Sequence, residues 1–588
     1  MSNATGTTIL SDVFFRPRSL RDSSLCWIEQ EEATSAENSA CSSSFRCLTY
    51  QHAAACLVQH TRRLYRILAE DFDHHNVTLV YLCNNSIDFA LSVIAAAHVA
   101  AYDTLRSCRP ALLNTRWSIA DMTVALQHCQ SVLLIYDANV WNETANLLSR
   151  VLQKQNRHVT ALPLPSIAAD ALRQTNHEAT IPSDRTYQSA TNMTNMPLNT
   201  CNPQQIADSA YSTDALIVFT SGTTATAKGV RLSHRALLVQ AAAKCQSPCA
   251  YSKNTRMLGD TVPLFHVGGL SSWLAVWMAG GAIVTTTRST PKTFSARRVY
   301  DALCHSAVPV NTLVVVPAMV HALHQQAAFH NTAVYSQVEL ILVGGQALLE
   351  SQANFLRATF PRARIVQTYA CSEAASSLTF WDVTRARDIV LSERAAPGVC
   401  VGQPPPHIQL GLVSETTHEP LTEPYQVGLL TTRGPHMMNG YWNSPKIFAE
   451  DSWYRTSDLM FRDDSNRWFF CGRQTDTIRT GGETVWASQV EAIIGQHQYV
   501  LEVAVLGLPD ERLGETVACA MVFRKGTEVV SEQLRIKELQ AWCQKQGLAS
   551  YKMPRRWVFL DSLPRNTSGK VLKHQLRPCF EDLPGSRL

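Results

Sequence analysis

The chain is 588 residues long, 45% hydrophobic and 17% charged, with a formal net charge of +4. That length exceeds what one hydrophobic core supports, so at least two domains are expected, and the composition excludes a disordered chain. A charge of +4 over this length leaves no basic footprint for nucleic acid or an anionic membrane, and 17 cysteines without a Cys-x-x-Cys pair read as reduced thiols in a reducing compartment, not as a disulfide or zinc framework.

The amino terminus lacks the basic stretch followed by an apolar core that marks a secretory signal. The most apolar segments, Ala90 to Ala101 and Leu270 to Val284, are too short or too interrupted to cross a membrane, so no span is predicted. Apolar runs at Val77 to Cys83, Ser131 to Tyr136, Ala215 to Phe219, Thr312 to Val316 and Leu340 to Val343 alternate with helical patterns, which predicts an α/β architecture with parallel-rich sheets over residues 1–471. Residues 173–213 turn polar and rich in Thr, Asn, Gln and Pro, and read as a surface insertion.

The run Phe219-Thr220-Ser221-Gly222-Thr223-Thr224-Ala225-Thr226-Ala227-Lys228-Gly229 directly follows the apolar segment Ala215 to Val218. A strand delivers a loop of hydroxyls and glycine, Lys228 closes it, and a helix is predicted from near Ser233. Backbone N–H groups, hydroxyls and one ammonium converging in this way suit polyphosphate, although the spacing is not that of a Walker A loop. A solvated lysine on a polar hairpin is the competing reading.

A second unit is predicted at 477–588, a small α+β module joined by a hinge at 472–476. Ser488-Gln489-Val490-Glu491 reads as a capping box opening a helix, Val500 to Leu508 and Thr516 to Phe523 as strands, and Ser531 as a further helix start. The module closes on Pro564-Arg565-Asn566-Thr567-Ser568-Gly569-Lys570, and the chain ends in Ser586-Arg587-Leu588. That tripeptide is a variant of the peroxisomal Ser-Lys-Leu address, so an import receptor is an expected partner and the peroxisome the expected location, a plastid or cytosolic pool being the alternative.

Taken in order, the phosphate loop, Gln367-Thr368-Tyr369-Ala370-Cys371-Ser372-Glu373, Tyr454-Arg455-Thr456-Ser457-Asp458, Gly472-Arg473 and Lys570 resemble the acyl-adenylate-forming (ANL) superfamily, over nearly the whole chain. The resemblance implies a large N-terminal domain, a small mobile C-terminal domain, and an acid:thiol ligase using ATP, Mg²⁺ and coenzyme A. By that resemblance Thr220, Ser221, Gly222, Thr223, Thr224 and Lys228 cradle phosphate. Gly345, Gln346, Ala347, Gln367, Thr368, Tyr369 and Ser372 surround the nucleotide, with Asp458 and Arg473 at the ribose. Glu373 holds the metal through oxygen, which that hard cation prefers. Lys570 faces the α-phosphate during adenylation, where one preorganised cation is worth ~3 to 4 kcal/mol. Gly481 and Gly482 line the thiol's path in a second domain pose. Where relatives carry glycine the chain has Ala225, Ala370 and Ser457, and it also departs at Ala227, Leu429, Thr475 and Thr484, changes expected to weaken the loop and alter the hinge without removing its chemistry.

For the acid, Pro263-Leu264-Phe265-His266-Val267-Gly268-Gly269-Leu270-Ser271, the run Ser372 to Phe380, Gly398 to Pro404 and Leu113 to Trp117 look like the signature of 2-succinylbenzoate:CoA ligases of naphthoquinone pathways. That resemblance implies a wide apolar slot in which His266, Ser271 and Ser376 supply polar contacts and Gly268 and Gly269 let backbone approach the ligand. A peroxisomal aryl- or fatty-acyl-CoA ligase, a carrier-loading adenylation domain and an inactive nucleotide-binding descendant remain the alternatives.

Overall fold

The computed structural model describes residues 25–30, 45–72, 76–102, 108–167, 202–204, 211–220, 227–286, 294–304, 309–327, 334–346, 348, 350–384, 398–442, 444, 452–524, 531–565 and 571–580. Four sheets organise them. Continuous apolar runs rich in Val, Ile and Leu demand burial on both faces, and they form the parallel centres of two large sheets.

The first of these has seven strands, in the order Gly440–Tyr441, Lys228–Ser233, Asp214–Thr220, Arg109–Leu112, Val77–Leu82, Ser131–Tyr136, His158–Pro163. Its last five strands are parallel. The second has eight, in the order Ser376–Asp382, Arg364–Cys371, Leu340–Val343, Thr312–Val315, Arg256–Leu258, Ala282–Thr286, Leu25–Gln30, Phe45–Thr49. Only its two end pairings are antiparallel.

The helices Ile87–Tyr102, His234–Lys244 and Val267–Met278 are buried nearly all round. One apolar cluster explains why: it runs from Leu79, Val218 and Val230 of the first sheet, through these helices, to Ile283, Leu342 and Val366 of the second. A helix with no polar face belongs between layers.

An antiparallel six-stranded sheet, with Tyr454–Arg462 and Trp468–Arg473 near its middle, packs beside them. It hands the chain through a three-residue turn, Gln474–Asp476, to the last sheet, built on the long hairpin Val500–Asp510 and Gly514–Phe523. The outer strand Arg556–Phe559 adds in parallel to that hairpin.

Two local expectations change. A further strand, Lys228–Ser233, stands between the glycine-hydroxyl run and its helix, with Lys228 opposite Thr220 in antiparallel register, so the run connects a hairpin. The helix follows at His234–Lys244, where the Ser233 hydroxyl accepts the Ala236 N–H as N-cap. At the second site no capping box forms. The helix Ala487–Ile494 starts two residues early, with Trp486 as N-cap, the Ser488 hydroxyl donates to the Cys471 carbonyl, and Glu491 accepts the Val505 N–H at 2.8 Å. Tertiary partners outcompeted the local cap, since both side chains reach other strands.

The proposed insertion at 173–213 lies almost wholly outside the described residues. No helix among the described residues is long and apolar enough to cross a membrane.

Candidate active site

A cleft of about 360 Å³ opens where the second large sheet, the six-stranded sheet and the C-terminal module meet. Gly345, Gln346, Gln367, Thr368, Tyr369, Asp458 and Arg473 all line it, so seven residues named from sequence converge on one wall. Gly345 has φ +87, a left-handed conformation that glycine adopts freely.

Asp458 and Arg473 face each other as paired residues on adjacent strands, Arg473 Nε lying 3.5 Å from Asp458 Oδ1. The Tyr369 hydroxyl donates to Asp458 Oδ2 at 2.5 Å. Burial, then the Asp458 charge, push the Tyr369 phenol well above its ordinary range, so it stays a donor. Gln367 and Thr368 are already engaged: the Gln367 amide donates to the Cys400 carbonyl at 3.1 Å and the Thr368 hydroxyl to the Thr379 carbonyl at 2.9 Å. Their side chains brace the wall.

Opposite that wall stand Trp486, Glu491, Glu502, Arg565, Val571 and Lys573 of the C-terminal module. Arg565 and Val571 form an antiparallel bridge, and Arg565 pairs with Glu502 at 2.8 Å. Lys570 itself lies outside the described residues, as do Ser221, Gly222, Thr223, Thr224, Ala347, Ser586, Arg587 and Leu588. Gly481 and Gly482 occupy the tight turn between Thr480 and Glu483, with φ +59 and +86, and do not line the cleft.

Glu373 sits in a three-residue turn, Ser372–Ala374, closed by Ala375 in a left-handed conformation. Its Oε1 accepts the Tyr441 hydroxyl at 2.8 Å, and the exposed Lys228 ammonium lies 5.5 Å from the centre of the Tyr441 ring. A lone carboxylate suits a cation that keeps water and phosphate oxygens as its other ligands. Among the described residues no group of three or more His, Cys, Asp or Glu side chains could hold a metal by itself. The donor set therefore fits Mg²⁺ carried in on a polyphosphate.

Three residues further along, Ser376 belongs to a second constellation. Lys244, at the end of a buried helix, donates to both the Ser271 and the Ser376 hydroxyls, the latter at 3.1 Å, and Ser271 donates to Ser376 at 2.8 Å. All three are buried. Burial holds the Lys244 ammonium down at about 8, and among the described residues no carboxylate pairs with it. The same helix pins the turn, since the Gln240 amide donates to the carbonyls of Ala374 and Ser377.

His266 precedes the helix Val267–Met278 as N-cap residue without a capping bond. A Cβ on Gly268 would meet nothing within 4 Å, whereas one on Gly269 would come within 2.3 Å of the Pro263 carbonyl oxygen. The expected backbone approach to a ligand therefore fits Gly268 alone, and Gly269 is fixed by packing.

Sequence reasoning missed Lys244 and Tyr441. A lysine in the last turn of a helix ordinarily answers the helix dipole at the surface. The one available signal was its place after Ala241-Ala242-Ala243, in a helix without a polar stripe.

Residues 80–442 match the profile described as AMP-binding enzyme, and residues 489–570 match the AMP-binding enzyme C-terminal domain. The chain belongs to the AMP-binding enzyme family. Among curated relatives, the 2-succinylbenzoate--CoA ligase, chloroplastic/peroxisomal, of Arabidopsis thaliana is 31% identical over 494 residues, 79% of this chain and 82% of that protein. The indoleacetate--CoA ligase of Aromatoleum aromaticum is 31% identical over 62% of this chain and 67% of its own. Within the family the chain thus groups with AMP-forming acyl- and aryl-CoA ligases.

Solved structures share this AMP-binding fold. The o-succinylbenzoate CoA synthetase (MenE) of Bacillus subtilis with its acyl-adenylate OSB-AMP has a TM-score of 0.65 at 21% identity, covering 90% of this chain and 93% of that one. The same enzyme with ATP and magnesium ion gives 0.66 at 21%, covering 91% and 95%. An anthranilate CoA ligase, AuaEII, with anthranoyl-AMP gives 0.73 at 18%, covering 98% and 97%.

Proposed function

We propose that this member of the AMP-binding enzymes joins 2-succinylbenzoate to coenzyme A through an acyl-adenylate. The observation that carries the choice of acid is Lys244. A buried ammonium whose only described partners are two serine hydroxyls is a costly arrangement that a ligand carboxylate would relieve. Ser376 lies three residues from Glu373, so an acid anchored there by one carboxylate can present another toward the nucleotide. That calls for a diacid, and the ring and ketone of 2-succinylbenzoate suit the apolar surroundings of Phe265 and Leu270.

In the first half-reaction the aliphatic carboxylate attacks the α-phosphorus of ATP, forming the acyl–phosphate bond and expelling pyrophosphate. Lys228 and the run 220–224 hold the phosphates, Glu373 holds the cation that neutralises them, and Asp458 with Arg473 takes the ribose. Lys570 stabilises charge gathering on the α-phosphate oxygens. In the second, the thiol of coenzyme A attacks the acyl carbon as thiolate and AMP leaves, the 480–483 turn moving toward the acyl site by rotation about 472–476. We place the chain in the peroxisome through Ser586-Arg587-Leu588, in keeping with the name of the Arabidopsis relative.

Pyrophosphate release over a panel of acids, with and without coenzyme A, tests this. 2-Succinylbenzoate is expected to exceed its analogue lacking the aromatic carboxylate by about 100-fold in kcat/KM, since that analogue leaves Lys244 unpaired. Turnover of a medium-chain or cinnamic acid with none of 2-succinylbenzoate would overturn the choice of acid.

A further inference from the structure

Tyr441 touches two groups that the proposed reaction needs, the Glu373 carboxylate and the Lys228 ammonium, without being assigned to phosphate or metal itself. It ends the two-residue strand Gly440–Tyr441, which pairs antiparallel with the strand that carries Lys228, Tyr441 lying opposite Val230. The Trp442 N–H donates to the Gly229 carbonyl at 2.7 Å, and on the other side the Met438 N–H donates to the Glu373 carbonyl at 2.8 Å. The backbone of residues 438–442 therefore spans from the turn holding Glu373 to the strand holding Lys228.

The direction of the hydrogen bonds follows from chemistry. An ionised carboxylate only accepts, so the Tyr441 O–H points at Glu373 Oε1 over 2.8 Å. The oxygen of Tyr441 must then accept from Tyr454, whose hydroxyl lies 3.1 Å away. Glu373 Oε1 is thereby occupied, while Oε2 has no hydrogen-bond partner among the described residues. The face of the same ring receives the Lys228 ammonium at 5.5 Å.

Resting on the adenylating reading of this site, we propose that Tyr441 is a positioning residue that turns Glu373 Oε2 toward the divalent cation and seats Lys228 against the phosphates, with Tyr454 holding the Tyr441 hydroxyl in that orientation. Partners that orient a metal-ligating carboxylate act on the affinity for the metal. Loss of the Tyr441 hydroxyl frees Glu373 to rotate, and its ring keeps Lys228 in place.

The test is an electron paramagnetic resonance titration of Mn²⁺ into the full chain saturated with a non-hydrolysable ATP analogue. Tyr441→Phe is expected to weaken Mn²⁺ about tenfold, and Tyr454→Phe less but in the same sense. In the Glu373→Gln background, adding Tyr441→Phe is expected to change nothing further, because the group it orients is gone. Acid-dependent pyrophosphate exchange by Tyr441→Phe should need about tenfold more Mg²⁺ at unchanged KM for the acid. Wild-type Mn²⁺ affinity in a folded Tyr441→Phe protein overturns the proposal, as does full additivity with Glu373→Gln. If Tyr441→Phe does not fold, unchanged affinity in Tyr454→Phe does the same. A wild-type chain that releases no pyrophosphate with any acid would remove the adenylating reading, and the Mn²⁺ titration would still decide the role of Tyr441.

Discussion

Lys244 shows how far burial changes one side chain. In the folded chain its ammonium is held down at about 8 from an ordinary value of 10.5, with desolvation the main cause. Between those two values the unfolded chain keeps the proton and the folded chain does not, so its charge opposes folding less as pH rises through that window. Binding of a carboxylate should reverse the shift. Calorimetry of 2-succinylbenzoate binding at pH 8.5, in buffers of different ionisation enthalpy, is expected to report proton uptake. The KM for the acid is expected to rise above about pH 8, and a flat KM from 7 to 9.5 would remove Lys244 from the acid site. Lys244→Met is expected to cost about 100-fold in kcat/KM for the diacid, leaving Tm unchanged or higher because a buried charge has gone. Tyr369, Asp458 and Arg473 could be named from the chain because each sits in a short run whose residue types suit a nucleotide. Lys244 could not, since only its neighbours from distant segments distinguish it from a surface lysine.

The helix Val267–Met278 carries its own test at the scale of an element. Gly268 and Gly269 look alike in the chain but differ in the fold: the first faces open space and the second lies against the Pro263 carbonyl. Gly269→Ala is expected to destabilise the large domain by about 1 to 3 kcal/mol, because backbone must move to admit the methyl group. Gly268→Ala should hold stability or raise it slightly, since alanine favours a helix, while reducing the fit of the acid. Urea midpoints of the two variants, beside their KM values, separate a packing glycine from a ligand-facing one. The strands and helices themselves were legible wherever apolar runs were long, as at Ser131–Tyr136, which formed over the residues expected. Ser488 and Glu491 were misread because a capping box is a local pattern, and both side chains found partners on other strands.

Across the whole molecule, buried histidines set the acid limit. Burial holds His234 and His407 down at about 3, and His436, beside His407 at 5.7 Å between ring centres, well below its ordinary range. Above about pH 6.5 these rings are neutral folded or unfolded and contribute nothing. Below it the unfolded chain takes up protons that the folded chain refuses, so stability falls with pH by about 1.4 kcal/mol per pH unit for each such histidine. Urea midpoints are expected to drop steeply from pH 6 to 4, and the slope should be shallower in His407→Gln; equal slopes would assign the acid limit to other groups. By itself the sequence determined the family, the two-domain order and seven residues that line the cleft, because those motifs are contiguous runs whose chemistry depends on residue type and local spacing. The tertiary structure alone decided the buried Lys244 constellation proposed as the acid anchor, for Lys244 meets Ser271 across 27 residues and Ser376 across 132, and such encounters are fixed by how buried helices pack between two sheets.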